Sequence, residues 1–254
     1  MPLPPPHRFT VRTAWACAAL WAAAAAQAAS PAPGVCLARS GAMAPTVVEL
    51  YTSEGCSSCP PADRWLSTLK GQPGVLALAF HVNYWDRLGW PDRFASAEAT
   101  ARQHELAQRA GSRNVYTPQV IANGRDWRFW PKLPTADAAA AAATPVSLTL
   151  SRDGDKVSAQ VSAAPGAPAQ LAGYWAVLED QHESHVRAGE NAGETLRHDH
   201  VVRLYKPVAA WQATAGGASQ LNVSAGVAAH PRRVVFVVTD AATQRPLQAL
   251  ALAC

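Results

Sequence analysis

Two cysteines three positions apart, in Cys56-Ser57-Ser58-Cys59, are the residues of this chain best suited to chemistry. Sulfurs at that spacing can close a disulfide across one turn and reopen it by exchange with an incoming thiol or disulfide. Cys56 is the expected attacking thiolate and Cys59 the resolving thiol. The dithiol carries the electrons itself, so no organic cofactor is implied. The same pair also admits a permanent structural disulfide or a vestigial site in a binding protein. Half of a metal site is a further reading, but the sequence holds no second close pair of cysteines. Glu49, Glu54 and Asp63 flank the pair, and any carboxylate close to Cys56 would raise its pKa.

Such a pair needs one element to present the first sulfur and another to polarise it. Thr46–Tyr51 reads as a short buried strand that ends just before the pair. Ser57–Lys70 reads as a helix opening on it, with Trp65, Leu66 and Leu69 at helical spacing. Free N–H groups at a helix N-terminus favour thiolate over thiol, and Pro60 and Pro61 suit a first turn, where a missing N–H costs nothing. Val75–Val82 is the strongest strand. Ser96 is placed to cap a helix through Ala110, which Gly111 stops. Gln119–Ala122 and Asp126–Trp130 flank Asn123-Gly124, a hairpin signal, and Pro134–Ala143 reads as an alanine-rich helix.

Thr117-Pro118 stands just before the strand Gln119–Ala122. In the thioredoxin fold a cis-proline at that place lies beside the disulfide, and the backbone of the preceding residue binds the partner chain. Thr117 and Pro118 are therefore the expected partner-binding residues, and the partners are protein thiols and disulfides. From Pro145 the helical period vanishes. Strand-like runs follow at Val146–Leu150, Lys156–Val161, Leu171–Leu178, Thr195–Tyr205, Gln220–Ser224, Arg233–Thr239 and Leu247–Leu252, separated by turn residues. The expected architecture is an α/β thioredoxin-like domain over residues 45–144, followed by a β-rich, sandwich-like C-terminal domain over 145–254.

The remaining cysteines depend on compartment. His7, Arg8 and Arg12 precede an apolar stretch, and Ala26-Gln27-Ala28 fits a cleavage site, so residues 1–28 read as a signal peptide that takes Cys17 with it. The apolar stretch is too short to span a bilayer. Four cysteines then enter an export compartment, periplasmic or secreted and bacterial in composition, where disulfides persist. Cys36 and Cys254 are expected to form a structural disulfide joining the chain's ends. Of 254 residues, 49% are hydrophobic and 16% charged, which supports a buried core and excludes a charge-rich disordered chain. The net charge is +4; without Arg8 and Arg12 it falls to +2, too little for an electrostatic nucleic-acid binder.

His182, His185, His198 and His200 fall within nineteen positions. Imidazoles so grouped could bind zinc or copper, although a polar face of separately satisfied histidines is the simpler reading, and no metal site is assigned. Asn83–Phe94 is an aromatic, charged loop that either walls the face near Cys56 or packs on the domain's own core. Asp86 and Asp92 with Arg87 and Arg93 read as salt-linked loop residues, and His81 as a buried, satisfied histidine or a proton relay.

The segments Val47–Asp63, Ala79–Ser96, Val115–Gly124 and Gly189–Arg203 together resemble the secreted thioredoxin-like family catalogued as domain of unknown function 1223. The resemblance covers nearly the whole chain after the signal segment. It implies a thioredoxin-like fold and export, but supplies no reaction. The leading expectation is therefore an exported thiol–disulfide exchange protein. The alternatives are a non-enzymatic envelope binding or assembly module with a locked pair, and a copper- or zinc-handling protein.

Overall fold

The computed structural model describes residues 1–3, 36–130, 132–133 and 143–254. The signal segment beyond residue 3, with Cys17, lies outside the described residues, as does Pro134–Ala143 except for its last residue. The first strand, β1 (Cys36–Arg39), precedes β2 (Thr46–Thr52), α1 (Pro60–Ser67), β3 (Val75–His81), α2 (Ala97–Arg109), β4 (Gln119–Ala122) and β5 (Arg125–Asp126). Then come β6 (Val146–Asp153), β7 (Lys156–Ala163), β8 (Gln170–Glu179), β9 (His182–His185), β10 (Thr195–His198) and β11 (Val201–Gln212). The last strands are β12 (Gly217–Asn222), β13 (Arg232–Asp240) and β14 (Pro246–Leu252).

Local signals explain several boundaries. Ser96 adopts an extended backbone, and its hydroxyl accepts from the Ala99 N–H at 3.0 Å, capping α2. At the other end Gly111 takes φ +74. Its N–H reaches the Gln108 carbonyl while that of Ser112 reaches the Ala107 carbonyl, the double bond of a Schellman stop. Asn123 and Gly124 both have positive φ (48° and 75°), as a two-residue hairpin between β4 and β5 requires. β5 is shorter than the expected strand Asp126–Trp130 and covers only Arg125–Asp126.

The sheets overturn the expected fold class. The described chain is mostly β, with two α-helices against fourteen strands, and it is not an α/β thioredoxin fold. One mixed eight-stranded sheet runs β14-β13-β8-β11-β3-β2-β4-β5, so strands from both sides of residue 145 share it. The join is β3 to β11: Val201 pairs with Ala79 in parallel, and the Ala79 N–H donates to the His200 carbonyl at 2.8 Å. β11 then runs antiparallel to β8 over its length. A second sheet, β1-β6-β7-β12, and a ribbon, β10-β9, complete the set.

Side-chain alternation divides the core by sheet face. In β8, Trp175 and Val177 pack with Leu148, Leu150, Val157 and Phe236 between the two large sheets. Tyr174, Ala176 and Leu178 face the opposite way, with Tyr51, Leu78 and Phe80. β2 divides similarly. Val48 and Leu50 pack under α1 with Leu66 and Ala79, whereas Val47 and Tyr51 pack with Ala99 of α2. The parity that puts Val48 and Leu50 under α1 puts Thr52 there too, and that of Ala77 and Ala79 carries His81.

Candidate functional site

Cys56 and Cys59 form a disulfide at the mouth of α1. Backbone turns hold it: the Cys59 N–H donates to the Cys56 carbonyl at 3.2 Å, and the Ala62 and Asp63 N–H groups share the Cys59 carbonyl at 2.9 and 3.1 Å. The helix offers this pair fewer free donors than expected. Its first two residues are prolines without N–H groups, and the Ser57 N–H is bound to the Glu190 carboxylate at 3.0 Å. The local donor near sulfur is instead the Ser58 hydroxyl, whose oxygen lies 3.4 Å from Cys56 Sγ.

Both cysteines are fully buried, at 0% exposure, although Ser57 and Ser58 are exposed. The loop 186–194 between β9 and β10 bonds to the turn from outside. Glu190 accepts from the N–H and the hydroxyl of Ser57, the latter at 2.8 Å, and those bonds keep its carboxyl below the usual range. Asn191, itself buried, donates through Nδ2 to the carbonyls of Glu54 at 2.8 Å and Cys56 at 3.0 Å. Neither residue stands out in the sequence: Asn191 bonds only to backbone and Glu190 to a serine 133 positions away, and neither contact leaves a local pattern.

The Thr117–Pro118 bond is cis. Trp85 connects it to the cysteine turn: its Nε1 donates to Thr117 Oγ1 at 2.8 Å, and a Cβ on Gly55 would meet Trp85 Cβ at 3.1 Å. A side chain at position 55 would need Trp85 to give way by a few tenths of an ångström, so glycine suits this close approach. Beside the proline lies a groove of 290 Å³ lined by Tyr116, Pro118, Val120, Trp127, Arg128 and Trp130.

Under α1, a second group of polar residues converges. Thr52 donates to Asp63 Oδ2 at 2.8 Å, and His81 Nδ1 lies 2.7 Å from Asp92 Oδ2. Asp92 also accepts from the backbone N–H groups of Glu54 and Phe94, each at 2.9 Å. Burial alone would raise the Asp92 carboxyl, but the His81 ring and these two N–H groups outweigh it and bring it down to about 2. His198, at the end of β10, lies 3.4 Å from Glu54 Oε1 and 3.9 Å from Asp63 Oδ1. Burial would lower the His198 pKa, but Asp63 and Glu54 overcome it and raise it to about 9. Glu54 is held below its ordinary value despite its burial, because the His198 ring and the Ser184 hydroxyl lie near its charged form and Trp90 Nε1 donates to its Oε2 at 2.7 Å. Asp92 is thus a buried partner of His81, whereas its sequence neighbours suggest a salt link to the loop arginines Arg87 and Arg93.

The four neighbouring histidines do not converge. His182 faces His198 across the β9–β10 ribbon, stacks on His230 at 3.9 Å and contacts Glu179 at 3.0 Å. His185 is exposed, with Nδ1 2.9 Å from Thr195 Oγ1. His200 sits in a turn at φ 59°, beside Arg233 at 3.0 Å; burial and that guanidinium push it down to about 4. Among the described residues the group spaced for a metal ion is Asp63, His81 and His198, each offering one ligand atom within 4.8 Å of the others. A second disulfide joins Cys36 and Cys254 across 218 positions. No helix among the described residues is long and apolar enough to cross a membrane.

No curated protein matches this chain. Among solved structures it is similar to protein AGR_C_4864 from Agrobacterium tumefaciens. The two are 26% identical with a TM-score of 0.64, over 84% of this chain and 96% of that one. It is also similar in fold to HBP35 of Porphyromonas gingivalis, at 14% identity and a TM-score of 0.57, over 84% of this chain and 76% of the other. The family model described as "Protein of unknown function (DUF1223)" matches residues 47–239, and the chain belongs to that family.

Proposed function

We propose that this protein is exported and exchanges disulfides with protein partners through Cys56 and Cys59. The observation that carries this reading is a disulfide closed over a single turn and linked through Trp85 to Thr117 and the cis-Pro118, which lines an aromatic groove. In the reducing direction, the Cys56 thiolate attacks a partner disulfide. One partner sulfur leaves as thiolate and takes up a proton, and a mixed disulfide remains. The Cys59 thiolate then attacks Cys56 Sγ and releases the second partner sulfur. The net change is one partner disulfide reduced to two thiols and the Cys56–Cys59 dithiol oxidised to a disulfide; run backwards, the same steps oxidise a partner. The Ser58 hydroxyl is placed to donate to Cys56 sulfur as thiolate. Loop 186–194 must lift, because no partner sulfur reaches a fully buried disulfide.

That burial favours a second reading, a non-enzymatic module whose pair stays locked. Equilibration against a glutathione buffer, with insulin reduction by wild type and Cys56→Ser, separates the two. Exchange predicts a measurable potential and activity lost in Cys56→Ser. A pair that resists reduction, with no activity dependent on Cys56, overturns it. Export is checked by sequencing the N-terminus of the periplasmic or secreted protein, which should begin close to Ala29.

A further inference from the structure

The geometry points to a divalent transition-metal site, of the zinc type, formed by Asp63, His81 and His198 between α1, β3 and β10. Asp63 and His81 each have one polar atom engaged and another left over, and both His198 nitrogens are without a hydrogen-bond partner. Asp92 is an acceptor already held by two backbone N–H groups, so the His81 ring must donate to it from Nδ1. That leaves Nε2 as the lone-pair nitrogen, buried and without a hydrogen-bond partner. His198 turns Nε2 toward Glu54 Oε1, which leaves Nδ1 facing Asp63 Oδ1 at 3.9 Å. Asp63 uses Oδ2 to accept from Thr52, so Oδ1 remains for the ion.

Metal-binding imidazoles characteristically donate their other nitrogen to a carboxylate, which sets the tautomer and orients the ring. Here His81 does so to Asp92, and His198 Nε2 faces the Glu54 carboxylate at 3.4 Å. The His81 and His198 side chains are 0% and 2% exposed, and neither His198 nitrogen has a formed hydrogen bond. An unsatisfied polar atom in such a place is costly, and a native interior keeps few of them. Charge points the same way. Glu54, Asp63 and Asp92 put three carboxylates into a dry interior; the cation would take the place of the proton that Glu54 and Asp63 hold on His198, and with both rings then neutral it reduces three negative charges to one.

Two nitrogens and a carboxylate oxygen suit zinc, whose ligands lie about 2.0–2.2 Å from the ion and so roughly 3.3–3.6 Å from one another. The observed separations, up to 4.8 Å, close to that range by small side-chain rotations. The way in is a groove of 340 Å³ beside α1 and β10, with Asp63 and His198 in its wall. A fourth position facing that groove is left for water or for a ligand group. The site is separate in composition from the cysteine pair and from the cluster of four histidines, of which it takes only His198.

The test uses the full untagged chain with its disulfides intact, stripped with a chelator and titrated with Zn²⁺ by calorimetry and with Co²⁺ by visible absorption. One equivalent of zinc should bind with submicromolar Kd, and cobalt should give the intense bands of a four-coordinate site. Asp63→Asn and His198→Asn should abolish stoichiometric binding. Asp92→Asn should weaken it about 10–100-fold, and His185→Ala, a change at an exposed ring, should leave it unaltered. Should the buried variants fail to fold, X-ray absorption of the zinc-loaded wild type decides: two imidazole nitrogens with oxygen support the site, and sulfur scattering overturns it. It is equally overturned if wild type binds no stoichiometric zinc, or if binding survives Asp63→Asn and His198→Asn but is lost in His185→Ala.

Discussion

Two buried polar groups occupy opposite faces of the same strands, and they are completed to different degrees. On the α2 face Glu49 receives Arg102 through Nε and Nη2 at 3.2 and 2.5 Å, and the hydroxyls of Tyr51 and Tyr174 at 2.9 and 2.7 Å. Arg102 Nη1 continues to Tyr205 at 3.1 Å, and its guanidinium lies over the Tyr174 ring at 4.2 Å. Every polar side-chain atom of Glu49, Arg102 and these tyrosines has a partner. On the α1 face Glu54, His81 and His198 all keep atoms without one. The complete network joins α2 to β2, β8 and β11. The incomplete one holds donor atoms in reserve beside the disulfide. Satisfaction of hydrogen bonds, more than burial or charge, therefore separates the part that fixes the fold from the part available for chemistry.

The largest test of that contrast is Arg102→Leu. Removing one partner leaves the Glu49 carboxylate buried and uncompensated, and unfolding free energy should fall by about 3–5 kcal/mol. Adding Glu49→Gln should recover part of the loss, because the stranded charge is gone. A single-variant cost below about 1 kcal/mol in denaturant titration would break the comparison. Zinc sharpens it from the other side. At free metal about 100 times Kd, wild type should gain about 2.7 kcal/mol, and Asp63→Asn should gain nothing.

Alkaline titration reads the closed network directly. Tyr51 and Tyr174 are raised well above the ordinary value of 10, chiefly by burial and then by the Glu49 charge. The unfolded chain ionises them near 10 while the folded chain holds them protonated. Their contribution to stability is thus complete below pH 10 and declines as pH rises toward their raised values. Of five tyrosines, these two should ionise only as the fold is lost, followed by phenolate absorbance against circular dichroism. Asn191→Leu should have the smallest effect. It removes two hydrogen bonds that hold loop 186–194 on the cysteine turn. At roughly 0.5–1.5 kcal/mol each, their loss should speed reduction of Cys56–Cys59 by dithiothreitol about tenfold. An unchanged rate would mean that the loop does not gate the sulfurs.

What could be read from the sequence was local. The Ser96 cap, the Asn123-Gly124 hairpin and the strand–turn–helix around Cys56 rest on residues within a few positions of one another. Pairing across long separations was not readable. Nothing in Val75–Val82 indicates that its free side accepts β11, so a sheet shared across residue 145 was expected as two separate folds. The run Thr195–Tyr205 read as one strand because its apolar residues continue, but His200 at φ 59° divides it into β10 and β11. The site suffered most from this. His198 was grouped with its neighbours in sequence, whereas its partners in space are His81, 117 positions earlier, and Asp63 on α1. Arg102 and Asp92 carry charges that usually mark a surface, and only the completed fold puts them inside.

The disulfide between Cys36 and Cys254 has a topological consequence. With the first described strand tied to the last residue, the polypeptide between them is a closed covalent ring of 219 residues. A protease that cuts one surface loop opens the ring without freeing a fragment, and the product remains a single molecule until it is reduced. Wherever peptidases are common and reductants scarce, a nicked copy would keep its strands attached.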